Sequence, residues 1–99
     1  MAVNLACLYR NTLPTSSGTL FTASGTNGVE ITDITIANNN STSVTVTINV
    51  DGIVLVPGVS VDGNTVVPIG LKQYVANTKL VTGVASASGV GCHISGANV

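Results

Sequence analysis

The side chains best suited to chemistry in this sequence are one histidine, two cysteines and four acidic residues. The histidine, His93, directly follows Cys92. A hydrolytic triad needs a base held beside a nucleophile, and the serines lack the G-x-S-x-G pattern that exposes one. Neighbouring strand residues project to opposite faces, so Cys92 and His93 cannot bind one ion without distortion. We expect no catalytic residue and no zinc site.

The acidic residues offer a weaker possibility of a cation site. Glu30 and Asp33 are close in sequence, and a β-bulge between them could bring both to one face. Calcium usually takes roughly six to eight oxygens, so a solvated pair is expected instead. Asp51 and Asp62 each precede a glycine, which turn geometry explains. No glycine-rich loop opens a helix, so no nucleotide site is predicted. With too few metal ligands close together, no metal or other cofactor is expected either.

Charge is scarce in this chain. Charged residues make up 7% of the sequence and the net charge is −1, whereas a typical soluble domain is about 25% charged. Thr, Ser and Asn must therefore form the solvent face, and such a surface repels its own copies weakly. This favours a subunit of an assembly over the alternative of a hydrated monomer. The basic residues are Arg10, Lys72 and Lys79, too few for a typical duplex-binding protein, so nucleic acid is not an expected partner.

Apolar runs are short. The longest aliphatic run, residues 53–56, is far below the ~20 residues that span a bilayer. The first residues do not combine a charged start with an apolar signal core, so we expect neither membrane association nor export. Cys7 and Cys92 could meet on neighbouring strands, but without export the reduced form is expected.

Alternating apolar and polar residues predict strands. The clearest strand covers residues 43–50, and Asp51-Gly52 suits a type I′ turn into a hairpin with residues 53–56. In residues 29–36, apolar residues stand at odd positions up to Ile31 and at even positions from Ile34 onward. One extra residue, a β-bulge near Thr32 or Asp33, would keep all of them on the same face of the strand. The N-terminal segment also alternates, and this predicts a strand with four side chains on the same face: Val3, Leu5, Cys7 and Tyr9.

The remaining segments complete an all-β pattern. Pro57 and Pro68 favour edge strands or strand ends, and His93 should point away from the core. Two further hairpins are expected, one across Asp62-Gly63 between residues 59–61 and 65–69, and one between residues 80–85 and 90–95. A short strand is expected at residues 19–23, followed by a turn at 24–28, and residues 71–77 should form a connection. About eight short strands without a helical window predict one domain over residues 1–99, a small antiparallel β-sandwich or jelly roll.

Several of these segments carry a pattern found in one group of proteins. They are residues 33–38 (DITIAN), 43–48 (SVTVTI), the Asp51-Gly52 turn, 63–67 (GNTVV) and 90–96. Over residues 29–96 the chain resembles small bacteriophage virion structural proteins of β-sandwich type. The resemblance implies a non-enzymatic subunit present in many copies in a virion that assembles in the host cytoplasm. Capsid decoration (cement) proteins lead that group, and tail- or fibre-associated subunits are the alternative.

The same resemblance implies partners. The chain is expected to form a homo-oligomer, with a trimer favoured because decoration proteins often sit at three-fold positions, and to bind the major capsid protein or another virion protein. Tyr9 and Tyr74 are predicted anchors, because aromatic residues are enriched at interface centres, and Arg10 and Lys72 could meet acidic groups on the partner.

Two further possibilities concern binding. Strand edges at residues 2–10 or 97–99 could pair with a neighbouring subunit. A carbohydrate-binding sandwich is also conceivable, but sugar platforms usually need exposed aromatic residues, and the chain has no Trp and two Tyr.

Overall fold

A computed structural model describes residues 4–24 and 27–99, and every regular element within them is a β-strand. The prediction of about eight short strands is confirmed. The strands are β1 Asn4–Thr12, β2 Gly18–Thr22, β3 Val29–Asn38, β4 Val44–Val50, β5 Ile53–Val61, β6 Thr65–Val75, β7 Leu80–Ala85 and β8 Val90–Asn98. Parts of two predicted elements, residues 2–3 of the first strand and 25–26 of the 24–28 turn, lie outside the described residues.

Two four-stranded antiparallel sheets form a sandwich. Their strand orders are β1-β8-β3-β6 and β2-β7-β4-β5. Only β4 and β5 are consecutive in the chain and adjacent in a sheet, so all other connections cross between the sheets. This order of eight strands is that of a jelly roll. The strands β1 and β6 are the edges of one sheet, and β2 and β5 are the edges of the other.

The hairpin between β4 and β5 forms as predicted. Asp51 and Gly52 have φ angles of 52° and 79°, and positive φ at both central residues defines the type I′ turn that suits twisted strands. The second strand of the hairpin runs past Val56 to Val61. Its register against β4 shifts around Pro57 and Gly58, where Gly58 has a φ of 57° and its amide donates a hydrogen bond to Thr47 Oγ1 at 3.1 Å.

The other two predicted hairpins are wrong, because their strands lie in different sheets. Asp62-Gly63 joins β5 to β6 across the sandwich, and Asn64, with φ of 52°, adopts the left-handed conformation there. A Cβ on Gly63 would clash with the Ser41 carbonyl oxygen, so this glycine permits a close approach of two loops. The predicted connection at residues 71–77 is also wrong at its start, since β6 extends to Val75.

Two bulges in the first sheet keep apolar side chains in the core. The predicted one is confirmed: the register of β3 shifts between Ile31 and Asp33 against both neighbouring strands. An unpredicted shift in β1 lies between Cys7 and Tyr9. It turns the Tyr9 ring toward the core and leaves Cys7 exposed, so their predicted common register is wrong.

Branched aliphatic side chains fill the space between the sheets. The isoleucines at the centre have no exposed surface, and the partly buried aromatic residues Tyr9 and Phe21 pack at the periphery. Pro57 and Pro68 both lie on edge strands, as expected for residues without a backbone N–H. The central isoleucines are Ile31, Ile34, Ile36, Ile48 and Ile94.

Substitution at two adjacent positions of β4 tests the face assignment. Ile48 is fully buried and Thr47 is partly exposed. Ile48→Asp should destabilise the protein by more than about 4 kcal/mol, because it places an unpaired charge in the core. Thr47→Asp should cost less than about 1 kcal/mol. Chemical denaturation followed by circular dichroism measures both, and equal losses would contradict the assignment.

Candidate interaction surfaces

Most ionisable side chains lie on the outer face of the β1-β8-β3-β6 sheet. In this face Arg10 is opposite His93, and Glu30 is opposite Tyr74. We call this surface the charged face, and it holds five of the chain's eight Lys, Arg, Asp, Glu and His residues. The remaining three lie in connections. The five are Arg10, Glu30, Asp33, Lys72 and His93.

The outer face of the second sheet is uncharged. None of the four strands β2, β7, β4 and β5 contains an ionisable residue. Thr19 pairs with Thr82, and Thr82 pairs in turn with Asn49. We call this surface the threonine face. The charged residues of the strands therefore all lie in the first sheet, whereas threonines occur in strands of both sheets, five in this one and four in the other.

The four predicted contact residues lie in two separate places. Arg10 is exposed on the edge strand β1, whereas Lys72 and Tyr74 are exposed on β6, the opposite edge of the same sheet. Tyr9 packs against the core, and its hydroxyl donates a hydrogen bond to the Thr12 carbonyl at 2.8 Å. Desolvation raises the pKa of Tyr9, and the nearby Cys92 adds a smaller effect. A role for these residues in partner contact stays a prediction.

The two cysteines are free and occupy different environments. Cys92 is buried and Cys7 is exposed. Burial raises the pKa of the Cys92 thiol to about 12, so its reactive thiolate form is scarce at neutral pH. Cys92 also points into the core while the adjacent His93 is exposed, so the two side chains diverge as the strand geometry predicts.

The acidic pair and the histidine do not combine into a cluster. The bulge places both Glu30 and Asp33 on the charged face, as the sequence suggested. Across residues 4–24 and 27–99 no group of three or more His, Cys, Asp or Glu side chains could hold a metal ion. The described part of the chain also contains no helix long and apolar enough to cross a membrane.

An open cleft of about 300 Å³ lies at the end of the sandwich that carries the Asp51-Gly52 turn. The start of β5 and the end of β6 form its walls, with Asp51 and Lys79 also lining it. Ile53 and Tyr74 in these walls are 72% and 54% exposed. We call it the hairpin-end cleft. Tyr74 was predicted from the sequence as a contact residue, whereas the apolar wall was not, although the aliphatic run following the turn was its signal.

A buried asparagine organises the opposite end. Asn38 is 2% exposed, and its Nδ2 donates to the carbonyl oxygens of Thr42, Val61 and Asp62 at 2.8, 3.1 and 3.1 Å. Its Oδ1 accepts from the backbone and side-chain nitrogens of Asn40. We call these contacts the asparagine network. With the further bond from Asn40 Nδ2 to the Ser88 carbonyl oxygen at 2.7 Å, they join three loops and satisfy polar groups within the chain itself.

Comparison with known proteins gives a distant structural likeness. No protein family matches the sequence, and no curated protein does. The fold is similar to part of an exo-β-1,3-galactanase from Phanerochaete chrysosporium with galactose, with 16% identity and a TM-score of 0.46 over 99% of this chain and 30% of the enzyme. A second structure of that enzyme, with β-1,3-galactotriose, gives 17% identity and a TM-score of 0.46 over 99% and 29%. The chain thus spans less than a third of either.

Thiol chemistry should distinguish the two cysteines. In the native protein an aromatic disulfide reagent should modify Cys7 rapidly and Cys92 only after denaturation, because burial and a raised pKa both protect Cys92. Absorbance of the released thiolate follows the reaction, with Cys7→Ser and Cys92→Ser as matched controls. Equal rates for both thiols in the native state would contradict this assignment.

The asparagine network should contribute measurably to the stability of the folded protein. Asn38→Asp replaces an NH₂ donor by an acceptor facing three carbonyl oxygens, and should cost at least about 2 kcal/mol at neutral pH. The same change at the exposed neighbour, Asn39→Asp, should alter stability by less than about 0.5 kcal/mol. Urea denaturation provides the comparison, and similar values for the two variants would show that the network is unimportant.

Proposed function

We propose that the protein is a non-enzymatic structural subunit of a bacteriophage virion, in the first place a capsid decoration protein that binds the head shell and stabilises it. The observation that carries the proposal is the uneven distribution of exposed apolar side chains. Leu5, Ile53, Val54, Tyr74 and Leu80 are exposed near one end of the sandwich, and Val66 is exposed near the other.

Cross-strand pairing defines this apolar end. One row of the first sheet runs from Leu5 through Ala97 and Glu30 to Tyr74. The second sheet contributes Ile53, which lines the same cleft as Tyr74. Clusters of exposed apolar side chains on a small domain mark surfaces that contact other proteins.

The two ends suit an attached subunit. The apolar end offers contacts that lose water on binding, while the asparagine network keeps the other end internally hydrogen-bonded. A subunit of a particle requires such a division, since it contacts neighbouring proteins, its own copies included, through one surface and leaves another in solvent. The jelly-roll fold occurs in viral capsid proteins, and this analogy agrees with the resemblance of residues 29–96 to small virion proteins.

The low charge also supports dense packing. With a net charge of −1, copies separated by less than a Debye length of about 8 Å repel one another weakly. Tail- or fibre-associated subunits share this property, so a location in the tail is the second candidate. Both candidates give the protein a structural role within the particle.

Localisation in purified particles tests the proposal. The copy number should be comparable with that of the major capsid protein, as measured by quantitative mass spectrometry, and antibody labelling should cover the head. Particles lacking the gene provide the control, and adding the purified protein back should restore both the labelling and resistance to heat.

Other outcomes would contradict different parts of the proposal. A few copies confined to the tail would exclude decoration and support the second candidate. Absence from purified particles would exclude a virion role altogether. Specific binding to a glycan array, lost in Tyr74→Ala, would favour a carbohydrate-binding module instead.

A further inference from the structure

We propose that the hairpin-end cleft is a self-association surface, occupied by the same region of a second copy of this chain. This inference deepens the structural role proposed above by assigning the contact between subunits to particular residues. It concerns the isolated protein, so it can be tested without any particle.

The apolar wall of the cleft favours burial. Ile53 directly follows the type I′ turn, and the adjacent Val54 is 55% exposed. A stable interface covers about 800 Å² on each partner, which is about 15% of this molecule's 5261 Å². The end of the elongated sandwich, with a cross-section of 22 × 18 Å, provides part of that area, and the exposed side chains around the cleft must supply the rest.

Tyr74 supplies a rigid aromatic group beside this wall. Its hydroxyl donates a hydrogen bond to the Asn27 carbonyl at 2.7 Å, which fixes the ring while much of its surface stays accessible. An ordered aromatic side chain loses little conformational freedom on binding, and such residues often dominate interface energies. The cleft therefore contains an anchor that is already positioned before a partner arrives.

The charges that line the cleft are self-complementary, which favours a second copy of this chain as the partner. Asp51 and Lys79 line the cleft and have opposite charges. Their backbones are held by hydrogen bonds from Asp51 N to Leu80 O at 2.8 Å and from Lys79 N to Ala76 O at 3.1 Å. Two clefts facing each other across a two-fold axis bring Asp51 of each copy toward Lys79 of the other.

The edge strands beside the cleft restrict how copies associate. Pro57 in β5 and Pro68 in β6 interrupt the backbone donors that continuous sheet extension would need. Strand addition along the whole of either edge is therefore disfavoured, which leaves the exposed side chains of the cleft to make the contact. Such an interface can close on itself without extending into a fibre.

The oligomeric state of the full chain tests the inference. Sedimentation equilibrium should show a concentration-dependent oligomer for the wild-type protein. Ile53→Asp should raise the dissociation constant at least about tenfold, because it places a charge in the apolar contact. Val66→Asp is the matched control: Val66 is 57% exposed near the opposite end, and its substitution should leave association unchanged.

A charge variant and a cross-link provide independent readouts. Lys79→Glu should weaken association by removing the attraction to Asp51, and added salt should reduce the difference from wild type. In a Cys7→Ser background, Ile53→Cys should form disulfide-linked dimers under oxidation, whereas Val66→Cys should not. Circular dichroism verifies that each variant is folded.

Three results would overturn the inference: a monomeric wild-type chain at all concentrations, unchanged association of Ile53→Asp, or equal losses in Ile53→Asp and Val66→Asp. Failure of the proposed function gives a different result, absence from particles, which leaves the sedimentation data unaffected. The two failures are thus distinguishable.

Discussion

This structure depends on one requirement. Every strand must present its branched aliphatic side chains to the single core layer between the two sheets. A chain of this size has one core, and a one-residue slip would transfer a strand's apolar side chains to solvent. In β3 the bulge after Ile31 meets this requirement, because with the extra residue the Ile34 side chain points into the core as the Ile31 side chain does. The β1 bulge has a similar effect at the edge, where the Tyr9 ring joins the core.

Features that depend on residues close together in the sequence could be predicted from the sequence alone. The Asp51-Gly52 hairpin, the bulge in β3 and the edge positions of Pro57 and Pro68 follow from backbone geometry or from period-two alternation. The charged face was only partly foreseen, since its residues come from β1, β8, β3 and β6, and sequence does not reveal which strands are adjacent.

The order of the strands in the two sheets could not be predicted from such short-range patterns. Asp62-Gly63 has the same two residues as the true hairpin turn, yet it crosses between the sheets and lies against Ser41 and Asn40 of another loop, a long-range arrangement that a two-residue pattern does not encode. The β1 bulge was missed because leucine and tyrosine are compatible with either face of an edge strand. The hairpin-end cleft was missed because its walls are about 20 residues apart in sequence, and four consecutive apolar residues have no alternation to indicate orientation.

The pairing of β1 with β8 has a mechanical consequence. Asn4 lies opposite Asn98, so tension applied at these two positions would peel the strands apart, breaking their hydrogen bonds one after another. Tension applied along the strands, between the hairpin-end cleft and the asparagine network, would instead load the hydrogen bonds of a ladder in parallel. A subunit held at one end and pulled at the other would therefore resist force far better than one pulled through residues 4 and 98.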